Sequence, residues 1–286
     1  KIIHEKLIRL KPNGSLWLDQ KYFSYTTGLR MVNDRKWASL FGFPRRAPEA
    51  ALSQIHCDLA WTIQHVTEEV ILKMAHEAKR LTGASNLCLA GGVALNCVAN
   101  GKLEKEGIFE NIFIQPAAGD AGGAIGAALA AKHLYFQKNR TTPQSDQMQG
   151  TFLGPAFGDS AIKQVVRKYN APFRQFPDFG TLCNEAATIL DQGGIIGWFQ
   201  GRMEFGPRAL GGRSIIGDPR NPEMQKKLNL KIKYRESFRP FAPAVLEESA
   251  HKYFDMQHPS PYMSFVHSVT KKSRKEVPED YNSLAL

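Results

Sequence analysis

Residues Asn86–Asn96 read NLCLAGGVALN. Asn86–Ala90 is a short apolar run of strand length, and it enters a Gly91-Gly92 turn. A helix follows, with Leu95, Val98, Ala99 and Leu103 at its apolar positions, so the whole is a strand–turn–helix unit. The pattern recurs at once. Ile112–Ile114 is a second strand, Pro116–Gly123 (PAAGDAGG) the turn, and Ala124–Leu134 a helix of small residues. Two such units in succession predict an α/β fold, in which ligands sit at strand C-termini and helix N-termini. Asp120 is the only acid between Glu110 and Asp146. At the end of a strand among glycines, it either faces a ligand or metal, or caps the helix. Asn96 carries the same two readings.

Toward the N-terminus, Ala50–Thr82 is the clearest helix. Ile55, Leu59, Ile63, Val66, Val70, Met74, Ala78 and Leu81 recur at spacings of three and four, and Gly83 stands where a C′ glycine belongs. His56, His65 and His76 lie nine and eleven residues apart on it, which makes no ligand pair and reads as surface or partly packed histidine. Residues 1–48 are mixed. Leu16–Phe23 alternates weakly, and Arg35, Lys36, Arg45 and Arg46 form a basic patch around Trp37 and Phe41.

Toward the C-terminus, Lys138–Gln149 is polar and reads as a linker. Ser160–Tyr169 and Thr181–Gln192 are amphipathic helices, and Ile195–Phe199 is a strand. That strand delivers the chain into Gly197–Arg220, GWFQGRMEFGPRALGGRSIIGDPR, which holds six glycines and four arginines. Glycine allows close backbone approach and arginine offers a fork of donors, so this loop reads as an anion cradle. Asn221–Leu230 is a helix with an Asn cap and Pro222 at its first position. Pro240–Leu246 and Pro261–His267 look like strands around a helix at Glu247–Phe254, and Lys271–Asp280 is a charged tail. From Arg202 to Arg239 ten basic residues face four acids, so that segment alone carries +6 of the chain's formal +10. Charge concentrated in this way marks a site for an anionic ligand.

The 286 residues, 43% hydrophobic, suit one large domain or two ordinary ones. No apolar run is long enough for a transmembrane helix, and the first residues do not read as a signal peptide. Cys57, Cys88, Cys97 and Cys183 form no CxxC pair, so buried free thiols in a reducing cytoplasm are expected. Histidines make neither HxxxH nor HxH, and no complete metal site is evident. The excess positive charge permits nucleic acid, but glycine interleaved with arginine favours a small phosphate ligand.

Three passages together resemble the nodulation-type O-carbamoyltransferases: Leu89–Asn96, Pro116–Leu129 and Gly201–Leu246. The resemblance covers roughly Ala50 to Phe265. It implies an actin-like (ASKHA) ATPase domain followed by a YrdC-like domain. The YrdC-like part would make carbamoyl-adenylate from ATP and carbamoyl phosphate, and the actin-like part would pass the carbamoyl group to a small-molecule hydroxyl. Residues 1–145 correspond to the second lobe of the actin-like domain and 146–286 to an incomplete YrdC-like domain. The chain thus reads as a fragment lacking the first lobe and the C-terminal end. By the same resemblance Gly91, Gly92, Asn96, Gly119, Gly122, Gly123 and Arg202 bind nucleotide. Arg208, Arg213, Lys233, Arg235 and Arg239 serve adenylation, the last three in a run similar to the signature of YrdC-type nucleotide sites. Asp120 matches the family's metal-binding aspartate, iron or another divalent cation being the implied metal. The family's HxxxH pair is absent here, so the chain alone is expected to bind iron weakly or not at all. ATP, carbamoyl phosphate and a hydroxyl acceptor are the expected partners, with a homodimer left open. The rival readings are a tRNA threonylcarbamoyl-adenosine-type modification enzyme and a non-catalytic nucleotide-binding module.

Overall fold

A computed structural model describes residues 1–47, 50–141, 145–256 and 258–278. Residues 142–144 of the predicted linker and 279–280 of the charged tail lie outside the described residues. The architecture is mixed α/β with small two-stranded sheets. Two compact units divide the chain: residues 1–87 with 98–112, and residues 88–97 with 113 onward.

The first unit begins with a π-helical turn, Ile3–Leu7, and an antiparallel pair, β1 (Ile8–Leu10) and β2 (Leu16–Leu18), in register Ile8↔Leu18. Helix α1 (Asp34–Phe41) starts where the Asn33 side chain accepts from Lys36 N at 3.1 Å and stops at left-handed Gly42. Helix α2 (Gln54–Thr82) starts four residues later than the sequence predicts, after Ser53, whose backbone N–H donates to His56 Nδ1 at 3.1 Å. It ends at Gly83 with φ 65°, the expected C-terminal glycine. Ile3, Leu7, Ile8 and Val66 form the core, against which Trp37, Leu40, Phe41 and Leu59 pack. Much of the apolar face read on α2 is nevertheless exposed, Ile55, Met74 and Leu81 among it.

Strand β3 (Asn86–Leu89), helix α3 (Cys97–Lys105) and strand β4 (Asn111–Ile114) match the predicted units, and β3 pairs with β4. Helix α4 (Asp120–Ala130) begins earlier than expected, directly in the glycine turn, and runs into a π-helical turn at Ala131–Tyr135. The four cysteines are free, but none is buried. On β3 Leu87 and Leu89 are partly covered, while Cys88 between them is exposed, as the two-residue period of a strand requires.

In the second unit, helices α5 (Asp159–Lys168) and α6 (Phe179–Asp191) precede β5 (Ile195–Phe199). The larger surprise is β6 (Arg213–Gly217), which pairs antiparallel with β5 in register Ile195↔Gly217 to Phe199↔Arg213. The Gly/Arg stretch is therefore a hairpin with a long connection, because Ser214, Ile215 and Ile216 satisfy the free edge of β5. Helix α7 is only Met224–Lys227, continued by a π-helical turn Leu228–Lys233. Asn221 Oδ1 accepts from Glu223 N at 2.9 Å, so the cap turns the chain but the helix starts beyond Pro222. The two predicted strands at 240–246 and 261–267 are absent. Pro240, Pro243 and Pro261 cannot donate to a ladder. The strands form instead at β7 (Phe254–Asp255) and β8 (Ser268–Val269), after the short helix α8 (Ala250–Tyr253).

Candidate nucleotide site

The glycine turns and the Gly/Arg loop fall in the second unit, and there they touch. Gly91, at φ 98°, donates its N–H to Ala118 O at 2.8 Å, tying the two turns together. Ala94, Ala117 and Ala118 are buried beneath them, small enough to let the backbones close. Gly92 opens a 3-10 turn, Gly92–Leu95, and Asn96 ends it with its N–H on Val93 O at 2.9 Å. A side chain on Gly91 or Gly92 would enter open space, so a ligand could approach both. Gly122 is the opposite case. A Cβ there would lie 2.2 Å from Ala117 O, whereas one on Gly123 meets nothing.

The Gly/Arg loop closes over this pair at two points. Gly206, at φ 119°, lies against the second turn, where a Cβ would sit 3.2 Å from Ala117 Cβ. Arg208 Nη2 donates to Leu95 O at 3.0 Å, and Arg208 Nε is buried with no hydrogen-bond partner among the described residues.

What holds the loop is Glu204, whose side chain is fully buried. Its Oε1 accepts from the N–H groups of Leu210, Gly212 and Arg213 at 2.7, 2.8 and 3.1 Å. Its Oε2 accepts from Arg213 Nε at 3.1 Å, and Arg213 Nη2 returns to Glu204 O at 2.9 Å. Burial pushes the carboxyl up, but the hydrogen bonds from Leu210 and Arg213 outweigh it and hold the group at about 2. Part of the predicted cradle therefore already holds an anion, the loop's own. A Cβ on Gly212 would lie 3.0 Å from that carboxylate, so glycine is needed there for packing. Sequence reading counted Glu204 only as one of the segment's acids. An acid enclosed by glycines and arginines was the available signal.

A second support is the segment Thr151–Ala156, which leaves a 3-10 turn at Gln149–Thr151. Phe205 N donates to Thr151 O at 2.7 Å, Gly154 N to Met203 O at 2.9 Å, and Met203 N to Pro155 O at 3.0 Å. Arg202, placed at the nucleotide by resemblance, gives its Nη2 to Leu153 O at 3.0 Å in the same strap.

The remaining basic residues are organised separately, around Asn229, which is fully buried. Asn229 Nδ2 donates to Ser237 O and Arg239 O at 3.0 and 2.8 Å, and its Oδ1 accepts from Arg235 Nε at 2.6 Å. The Arg235 guanidinium also lies 4.9 Å over the Phe241 ring. Arg239 Nε meets Glu236 at 3.3 Å, and Lys233 is exposed at the end of its π-helical turn. The predicted adenylation residues thus do not share one set of partners: Arg208 is on Leu95, Arg213 on Glu204, and Arg235 and Arg239 around Asn229, while Lys233 is exposed.

Gly119 caps α4, and Asp120 is its exposed first residue rather than its cap. Among the described residues no three His, Cys, Asp or Glu side chains are grouped to hold a metal ion. Asp120 alone is one ligand where a tight site wants three or more, so the residues present do not fit a resident metal. Among the described residues no helix is long and apolar enough to cross a membrane.

Two family models match this chain: the carbamoyltransferase N-terminus over residues 1–129 and the carbamoyltransferase C-terminus over residues 187–281. An uncharacterized protein of Synechocystis sp. is 54% identical over 275 residues, covering 96% of this chain and 44% of that protein. Nodulation protein NolNO of Sinorhizobium fredii is 40% identical over 252 residues, 86% of this chain and 36% of that protein. Nodulation protein U of the same organism is 33% identical over 255 residues, 88% and 41% respectively. The chain spans less than half the length of these relatives.

Proposed function

The chain belongs to the carbamoyltransferase family, and from that premise we propose that it is part of an ATP-dependent O-carbamoyltransferase. In a YrdC-like domain, residues 146–286, water hydrolyses carbamoyl phosphate to carbamate and phosphate, and the carbamate oxygen bonds to the α-phosphorus of ATP as pyrophosphate leaves, giving carbamoyl-adenylate. The actin-like lobe, residues 1–145, presents that adenylate to a small-molecule hydroxyl. The acceptor oxygen then bonds to the carbamoyl carbon, AMP leaves, and the hydroxyl proton is released. The N- and C-terminal family matches leave residues 130–186 between them, and the proposed junction lies there.

The observation that carries the reading is the contact of the Gly/Arg loop with both glycine turns, through Arg208 on Leu95 O and Gly206 on Ala117. Nucleotide phosphates need N–H groups and fixed positive charge at one place. Gly91, Gly92, Gly119 and Gly123 supply approachable backbone, Asn96 a hydrogen-bonding side chain, and Arg208 the charge. Lys233, Arg235 and Arg239 are assigned to the phosphates of the adenylation step. Arg213, committed to Glu204, is a positioning residue that shapes the loop. No step runs through a metal, because the residues present do not make a site for one.

The test is ATP/pyrophosphate exchange in the full-length protein. Exchange should require carbamoyl phosphate. Exchange that is absent, or that proceeds equally without carbamoyl phosphate, contradicts the reading.

A further inference from the structure

The basic patch around Trp37 and Phe41 plays no part in the proposed reaction, and in the first unit it borders a cleft of about 460 Å³ between α1, the 29–32 segment and the start of α2. That volume is in the range of small-molecule sites. The floor is apolar and anchored. Trp37, Phe41 and Leu59 pack on the core of the unit, and successive rings of Phe23, Trp37, Phe41, Phe43 and His56 lie 5.3–6.2 Å apart. The Trp37 indole N–H is already given to Tyr22 O at 2.9 Å, so it offers no polar group to a ligand on the floor.

The mouth is different. Leu29 is fully exposed and Met31 is 66% exposed, two apolar side chains in water beside the opening. Arg30 and Arg45 both direct Nη1 at one oxygen of Asp34, at 2.5 and 3.6 Å, with side chains 70% and 63% exposed. One carboxylate oxygen cannot use all the donors of two guanidinium groups. Arg30 and Arg45 thus share the single carboxylate of Asp34, which offsets one of their two positive charges.

We propose that this cleft binds a small anionic amphiphile, an apolar body seated on the Trp37–Phe43 rings with a carboxylate or phosphate head at Arg30 and Arg45. The charge at the mouth and the apolar floor select that class. A sugar would need polar groups along the walls, and a cation would be repelled. The occupant is a free molecule in solution, since the ring floor lies inside a concave surface. This proposal does not depend on the carbamoyl-transfer reading.

Decyl phosphate, titrated calorimetrically into the full-length protein below its micelle concentration, is the probe, with decylammonium and decanol as controls. Saturable binding of one decyl phosphate per chain, at least tenfold tighter than either control and weakened by salt, is the expected result. Arg30→Ala with Arg45→Ala should weaken it tenfold or more. Leu29→Asp with Met31→Asp should also weaken it, and these exposed positions do not threaten the fold. Equal binding of all three probes, or arginine variants that bind like the parent, overturns the proposal. So does binding to anionic phospholipid vesicles with none to free decyl phosphate. Self-association that the Leu29→Asp, Met31→Asp variant abolishes, with no decyl phosphate bound, assigns the cleft to a second copy and equally overturns it.

Discussion

Gly122 and Gly123 stand side by side in the first turn of α4, yet their surroundings demand opposite things. A methyl group on Gly122 would be driven to 2.2 Å from Ala117 O, a backbone atom that cannot step aside. Gly122→Ala should therefore cost about 1–3 kcal/mol. Gly123→Ala meets open space and replaces a poor helix former by the best, so it should gain roughly 0.5–1 kcal/mol. Thermal melts of the two variants should move in opposite directions. Equal shifts would show that the turns are not packed as described. Glu204 makes a second test at this scale. Its folded value of about 2 lies below the ordinary 4.5. The unfolded chain therefore binds more protons between those values, and the stabilisation is fully present above about pH 4.5. It is lost as pH falls through 2. One buried carboxylate so shifted contributes roughly 3 kcal/mol. Glu204→Gln should lower stability at neutral pH by about that order and flatten its pH dependence between 4.5 and 2. Chemical denaturation across that range reads both effects.

At the scale of elements, the Gly/Arg loop is held by its own carboxylate and by the Thr151–Ala156 strap. The N–H groups of Leu210, Gly212 and Arg213 lie outside helix and strand or at a strand's first residue, yet all three donate to Glu204. Hydrogen exchange should find them protected well beyond ordinary loop amides, and Glu204→Gln should release them while leaving the β5–β6 ladder slow. Unprotected amides in the parent would remove Glu204 from its role. This contrast explains what was legible in the sequence. Strands β3, β4 and β5, and helices α3, α5 and α6, announce themselves through local period and glycine punctuation. Strand β6 did not, because Arg213 and Gly217 at its ends look like loop residues and only pairing with β5 makes it a strand. The apolar run at 240–246 misled in the other direction, since its prolines forbid the ladder that its composition suggests. That Arg208 ends on Leu95, 113 residues away, is a property of the folded unit and of no local pattern.

For the whole molecule, the family match and the meeting of three motif-bearing segments lead to one account. The proposed function has the turns at Gly91–Asn96 and Gly119–Gly123 receive a nucleotide, and the Gly/Arg loop brings Arg208 to Leu95 O beside them. Arg208 and Arg213 make the sharpest pair of variants, because the sequence places both in the cradle and the structure separates their roles. Arg213→Ala should destabilise the loop through Glu204, leaving the buried carboxylate without its guanidinium partner and the Glu204 carbonyl short of a second hydrogen bond, at a cost of about 3–5 kcal/mol. Arg208→Ala removes one hydrogen bond to a carbonyl, at about 1 kcal/mol of stability, and should act mainly on the ligand. The most direct test is a calorimetric titration of ATP into the full-length parent and its Arg208→Ala and Arg208→Lys variants. Loss of one charge-assisted contact, about 1.5–3 kcal/mol, should weaken ATP binding roughly ten- to a hundredfold in the alanine variant with little change in melting temperature. The lysine variant should recover only part of the loss, because it restores charge without the fork of donors. An alanine variant that binds ATP as tightly as the parent, or a parent that does not bind ATP at all, would contradict the account.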